Sequence, residues 1–165
     1  MTSTLIAGPG EEPVSLAEAK ASCRIDGSDE DALLTALIAA ARLHIESVTG
    51  RALVTQSWRL VVECPVGRLL VLPVLPASAV TAAVADDAAI EVVLDGDCVL
   101  LPGSGYRAVS IDYTAGYGGA DDVPADLKQA VLALVAYWFE NRDLAAGEPP
   151  AGFERLLAGY MRVRL

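Results

Sequence analysis

A chain of 165 residues is long enough for one domain with a real core, and its 53% hydrophobic content against only 5% aromatics makes the apolar surplus Ala, Val and Leu. A formal charge of −10, with only 12 scattered basic residues, excludes a basic patch that grips the outside of a nucleic acid duplex. The longest unbroken apolar run, Ala130–Phe139, is half of the roughly twenty residues that span a bilayer, and the first ten residues lack the basic start of a signal peptide, so a soluble intracellular protein is expected. The apolar surplus suits either oligomer and partner interfaces or a tight alanine-rich core.

Residues 1–12 read as an extended or disordered arm, because Gly8-Pro9-Gly10 blocks regular structure. Ser15-Leu-Ala-Glu18 fits a capping box and predicts a short helix over Leu16–Ser22, followed by a turn at Arg24–Ser28. Asp29-Glu-Asp31 opens a second helix, where acids suit the positive end of the helix dipole, and Gly50 closes it as a left-handed cap. At 100° per residue, Leu33, Leu34, Leu37, Ile38, Ala41, Ile45 and Val48 fill one arc. Ala36, Ala40, Leu43 and Ser47 make a second side, and Thr35, Arg42 and Glu46 leave only a narrow polar strip, so this helix is expected to be covered on two sides.

Short strands are predicted next, over Thr55–Cys64, Leu69–Leu72 and Ala79–Ala85, with a bend at Pro73–Pro76. Ile90–Leu94 and Asp97–Leu101 around Asp95-Gly96 form the clearest hairpin, since Asp-Gly suits a two-residue turn with positive φ. Arg107–Tyr113 alternates Val109, Ile111 and Tyr113 with Ser110 and Asp112, as a half-buried strand does. A glycine turn and an acidic linker then lead to Pro124, suited to a first helical turn, and to the most apolar helix of the chain. Its core arc is Leu127, Val131, Leu134, Val135 and Trp138, widened by Leu132 and Phe139 on one side and by Ala130, Ala133 and Tyr137 on the other. Gly147–Pro150 reads as a linker, Phe153–Met161 as a final helix, and Arg162–Leu165 as a basic tail.

The chemistry that would mark an enzyme is thin. The single histidine, His44, falls within the apolar arc of the second helix and reads as a core or edge residue. One histidine and no Cys-x-x-Cys pair cannot assemble the usual zinc sets, and Cys23, Cys64 and Cys98 read as reduced thiols. The acids at 26/29/30/31, 86/87, 95/97 and 121/122 sit at helix starts and turns, and the first cluster lacks the alternate-position acids plus glycine of a calcium loop. Gly116-Tyr-Gly118-Gly119 is followed by Asp121 and by no Gly-Lys-Ser/Thr, so it reads as a turn and not a phosphate cradle. No catalytic, cofactor or metal residue is therefore assigned.

Two stretches in order carry a resemblance. One is Pro13-Val-Ser-Leu-Ala-Glu-Ala-Lys20 with Arg24-Ile-Asp26, Asp29-Glu-Asp-Ala-Leu-Leu34, Ala39-Ala-Ala-Arg42, Thr49-Gly-Arg51 and Gln56-Ser-Trp58; the other is Asp112-Tyr-Thr-Ala-Gly-Tyr-Gly118, Val123-Pro-Ala-Asp-Leu-Lys-Gln-Ala130 and Tyr137-Trp-Phe-Glu-Asn-Arg142. Together they resemble the head–tail connector (adaptor) proteins of long-tailed bacteriophages, prophages and gene transfer agents, over most of residues 13–142; the fit is poorest over 64–107. The resemblance implies an α+β, mostly helical fold: a small helical bundle of two long helices plus short N- and C-terminal helices, packed with a small antiparallel β region. It divides the chain into an arm (1–12), a single connector domain (13–145) and a C-terminal linker, short helix and basic tail (146–165).

Such proteins are not enzymes and carry no cofactor. They form a ring, usually of twelve subunits, below the portal protein, continue the channel for double-stranded DNA without reading its sequence, and provide the platform for the tail. The implied partners are the chain itself as a ring, the portal, a tail or head-completion (stopper) protein and the passing DNA, with no membrane. The implied location is the head–tail neck of the particle, and the host cytoplasm during assembly. The family's C-terminal segment tends to reach the portal, which points here to Phe153, Arg155, Arg162, Arg164 and Leu165. The thinly polar helices point to Ala36, Ala40, Leu43 and Tyr137 as ring contacts. A tail-side completion protein of the same particle is the alternative, and a small enzyme using an acid cluster or a cysteine is the rival class.

Overall fold

The structure is a computed structural model that describes residues 1–141, 149 and 152–161. In chain order its elements are β1 (Thr2–Ala7), α1 (Leu16–Cys23), α2 (Asp31–Thr49), β2 (Gln56–Glu63), β3 (Leu69–Val71), β4 (Ala77–Ala85), β5 (Ala88–Ala89), β6 (Val93–Asp95), β7 (Cys98–Leu100), β8 (Ala108–Ala115), a 3-10 turn (Ala120–Asp122), α3 (Ala125–Glu140) and α4 (Phe153–Leu157). They fall into two compact units: one of Met1–Gly10 with Thr55–Tyr117, the other of Glu11–Val54 with Gly118–Leu165.

The first unit is all β. Its larger sheet has the order β1-β2-β8-β4-β5, and its smaller sheet the order β3-β7-β6, every pair antiparallel. β8 lies at the centre because its alternation is the cleanest in the chain: Val109, Ile111, Tyr113 and Ala115 are buried, and the residues between them are partly open. On the open face Arg59 of β2 stands opposite Asp112 of β8 and grips both carboxylate oxygens at 2.6 and 2.7 Å. Two tight hairpins complete the unit. In β4–β5 the turn residues Asp86 and Asp87 both have positive φ, and the Asp86 carboxylate accepts the Arg107 and Ala108 N–H groups at 2.9 Å. In β6–β7 Asp95 pairs with Cys98, so the two turn residues are Gly96 and Asp97, one position later than the Asp95-Gly96 turn predicted.

The second unit is helical. The α1 capping box is present as predicted: Glu18 N–H bonds the Ser15 hydroxyl at 3.2 Å while the Glu18 carboxylate accepts the Ser15 N–H at 2.6 Å. Gly50 closes α2 with φ 67° and ψ 26°. The core joins Leu34, Ile38, Ala41 and Ile45 of α2 to Leu127, Ala130, Val131, Leu134 and Val135 of α3.

These two units correct the expected mostly helical bundle with a small β region. Among the described residues the four helices occupy one unit, while eight strands in two sheets make up the other. Two features hide that weight in the sequence. The N-terminal arm is a strand, β1, paired with β2. The longest strand, β4, is built mainly of alanine, a residue of low β propensity that here pairs with β8 over most of its length.

Candidate assembly surfaces

The frame for the outward faces of α2 is set by Arg42. Sequence periodicity places it in a polar strip, yet it is only 8% exposed. Its Nε and Nη1 atoms each donate to a carboxylate at 2.8 Å, of Glu12 and Glu46 respectively, and the second Glu46 oxygen accepts the Leu53 N–H at 2.9 Å. Burial pulls the guanidinium pKa down, but the bonds to Glu12 and Glu46 outweigh it and hold the group above its ordinary value. A buried cation is tolerable only when paired in this way. The strip is thus an internal tie between the segment before α1, the helix, and the segment after it.

Outward on α2 are Ala36, Ala40, Leu43 and Ser47, all exposed, with Leu43 at 57%, together with Ala32, Thr35 and Val48, the last open at 38% although periodicity places it in the core arc. The helix is apolar and long enough to pass for a membrane span by composition, but one side of it is core, and the side carrying Ala36, Ala40 and Leu43 has no cover within the described chain. Tyr137, on α3, is half-buried. A second apolar surface lies on the small sheet. Leu69, Leu100 and Val93 stand in one cross-strand row, with Leu69 54% and Val93 61% exposed, and Val71 lies open in β3. The opposite face holds Leu70 and Val99, which are buried. Its signal in sequence was the run Leu69-Leu-Val71, apolar on both faces of the pleat.

The C-terminal candidates divide. Phe153 is turned inward at 4% exposure, with its ring 6.2 Å from that of His44, which also meets Trp138 edge-on at 5.9 Å. Arg155 is exposed on α4. Beyond α4, the Tyr160 hydroxyl reaches the Asp126 carboxylate at 2.8 Å, its carbonyl accepts from Arg51 Nε at 3.1 Å, and its ring lies 5.5 Å from the Arg51 guanidinium carbon. Arg162, Arg164 and Leu165 lie outside the described residues, as do Arg142 and most of the 147–150 linker.

The acids and glycines hold loops in place. Asp122 accepts the Gly119 N–H at 2.9 Å, and Glu11 accepts the Ala120 N–H at 2.8 Å. Gly118, with φ 135°, packs so closely on Asp122 that a side chain at this position would collide with the carboxylate. Asp31 pairs with Lys20 at 2.7 Å. A groove of about 510 Å³ is lined by Pro13, Val14 and Ile38 with Glu11, Glu12, Glu18 and Asp121; of its carboxylates, Glu11, Glu12 and Glu18 are held by Ala120, Arg42 and Ser15. Burial, then the Glu140 charge, pushes the Cys23 thiol pKa up, the opposite of an activated nucleophile. Among the described residues no three His, Cys, Asp or Glu side chains group as a metal site.

Comparison with known proteins places these surfaces in context. Residues 13–147 match the family model described as head completion protein. A chain in the neck of an empty gene transfer agent particle, computed with C6 symmetry, is 28% identical with a TM-score of 0.82, the alignment covering 100% of this chain and 97% of that one. A chain in the virion of a native gene transfer agent particle is also 28% identical, at a TM-score of 0.81 and the same coverage. A third, in the neck of the native particle computed with C12 symmetry, is 27% identical at a TM-score of 0.76, again over 100% of this chain and 97% of that one. No curated protein matches the chain. The match over residues 13–147 covers far more than half of the sequence, and the chain belongs to the head completion protein family.

Proposed function

We propose that this chain is a structural protein of the neck of a phage-like particle, not an enzyme, and that it assembles there as a ring under the portal. The observation that carries the reading is the full-length likeness to chains in the necks of gene transfer agent particles, in maps with six- and twelve-fold symmetry. The outward side of α2 supports it: Ala36, Ala40 and Leu43 offer a close-packing apolar stripe that the described chain leaves open, and Tyr137 adds a half-buried aromatic on α3. In this reading those four residues contact the neighbouring subunit in a ring of twelve.

The ring continues the channel for double-stranded DNA and presents the platform for the tail. The acidic balance of the chain supports such a wall, because clustered cations would bind the phosphates and brake the DNA. Arg155, exposed on α4, is offered to the portal, and by sequence the basic Arg162 and Arg164 with Leu165 are its companions in that contact; Phe153 anchors α4 from within.

Deletion of the protein from a producing cell tests this. Filled heads without joined tails are expected. Normal tailed particles would overturn it, and so would imaging that shows the protein touching tail proteins alone.

A further inference from the structure

We infer that neighbouring copies join by continuing the five-stranded sheet across the subunit boundary, with β1 of one copy pairing antiparallel with β4 of the next. This deepens the ring reading above and rests on it. The sheet has two open edges. At one end β1 pairs only with β2, and no described strand covers its other side. At the other end β5 covers Val84 and Ala85, and Ile90 donates to the Ala83 carbonyl, which leaves Ala77–Ala82 with no described strand on the side away from β8.

Sheets usually guard such edges with charge or proline, because an unpaired ladder recruits any passing strand. Neither edge is guarded that way. Thr2-Ser-Thr-Leu-Ile-Ala7 and Ala77-Ser-Ala-Val-Thr-Ala82 contain no charged residue and no proline. β1 is exposed along its whole length, and Ser78, Ala79, Thr81 and Ala82 are exposed as well.

The two edges also fit each other. β1 has six residues, and the uncovered part of β4 is as long. Strand direction alternates through β1-β2-β8-β4, so β1 and β4 run oppositely, and side-by-side copies bring them together antiparallel. The faces match in the same arrangement. Leu5 stands across from Trp58, Trp58 from Tyr113 and Tyr113 from Val80, which puts Leu5 and Val80 on one face; Thr4 belongs with Arg59, Asp112 and Ala82 on the other.

The occupant is a second copy because the complementary surfaces sit at opposite ends of one sheet. A contact of that kind is head-to-tail, and it closes into a ring when the rotation between copies fits. Chains similar to this one occur in necks computed with C6 and C12 symmetry. Main-chain pairing also explains how small, alternating side chains can hold subunits together: the ladder supplies the attraction and the side chains need only stay out of the way.

Disulfide trapping in assembled particles tests the pairing. Thr4→Cys is combined, in separate chains that also carry Cys64→Ser, with Ala79→Cys, Thr81→Cys or Ala82→Cys, which covers the registers that keep the faces matched. The particles are oxidised, denatured and run on a non-reducing gel, and the same particles are imaged. At least one combination is expected to give a ladder of dimers, trimers and higher multimers, while the single cysteine variants stop at dimers. A neck ring in the images with no ladder from any combination would overturn the sheet contact and leave the ring reading standing. Dimers alone from every combination would point to a two-fold contact and overturn it too. Images with no ring would overturn the ring reading itself, and this inference with it.

Discussion

At the scale of single residues, two charges show how an acidic chain uses its few cations. Arg42 is almost wholly buried between Glu12 and Glu46, so removing it strands carboxylates that are themselves largely shielded from water. Breaking a buried pair in this way costs about 3 kcal/mol. Arg42→Ala should therefore lower the urea midpoint strongly, and Glu12→Gln should cost less, because Glu12 is the more exposed partner. Asp112 is the opposite case, at the surface. The Arg59 hydrogen bonds hold its carboxyl below the ordinary value of 3.8, burial opposing them. A depressed folded pKa means that the stabilisation is fully present above pH 3.8 and is lost as pH falls through the lower folded value. Asp112→Asn should be less stable than the parent at pH 7, and the two unfolding curves should converge as the solution is acidified. A constant gap down to strong acid would rule out the ion pair as the cause.

At the scale of elements, the helices and the central strand were legible from their caps and alternation, although the α2 period placed Val48 in the core arc and the fold leaves it exposed. The Ser15–Glu18 box, the Gly50 cap and the alternation from Val109 to Tyr113 lie where local rules put them. Arg42 was misread because periodicity assigns a residue to a face but not a partner to that face; Glu12, thirty positions away, decides it. The weight of β structure was missed for the same reason. β1 is a strand only because β2 is beside it, and the alanines of β4 are held by β8. Of the candidate contacts, the α2 stripe could be read as apolar, but whether its own chain covers it could not. The structure leaves it open, and this yields a paired prediction. Leu134→Asp places a charge in a site of 0% exposure and should cost more than about 4 kcal/mol, enough to unfold the subunit. Leu43→Glu should leave the melting curve within about 0.5 kcal/mol of the parent and yet remove the protein from particle necks. Equal loss of fold in both variants, by circular dichroism, would show that the α2 stripe is core after all.

At the scale of the whole molecule, the two demands on the chain oppose each other. A wall beside DNA benefits from negative charge, but every copy added to a ring brings a further −10. Uncharged contacts, such as the α2 stripe and the open sheet edges, offer attraction that salt does not weaken. Repulsion between copies does depend on salt, since the screening length falls from roughly 10 Å at 0.1 M to about 3 Å at 1 M. Self-association of the purified chain should therefore strengthen as sodium chloride is raised over that range, as measured by sedimentation velocity at fixed protein concentration. Kosmotropic salts also strengthen apolar burial, so the comparison should use sodium chloride and not sulfate. Weaker association at high salt would mean that ion pairs between copies hold the ring. That outcome would move the subunit contact away from both uncharged surfaces, toward the acid-rich stretches at 26–31 and 86–97.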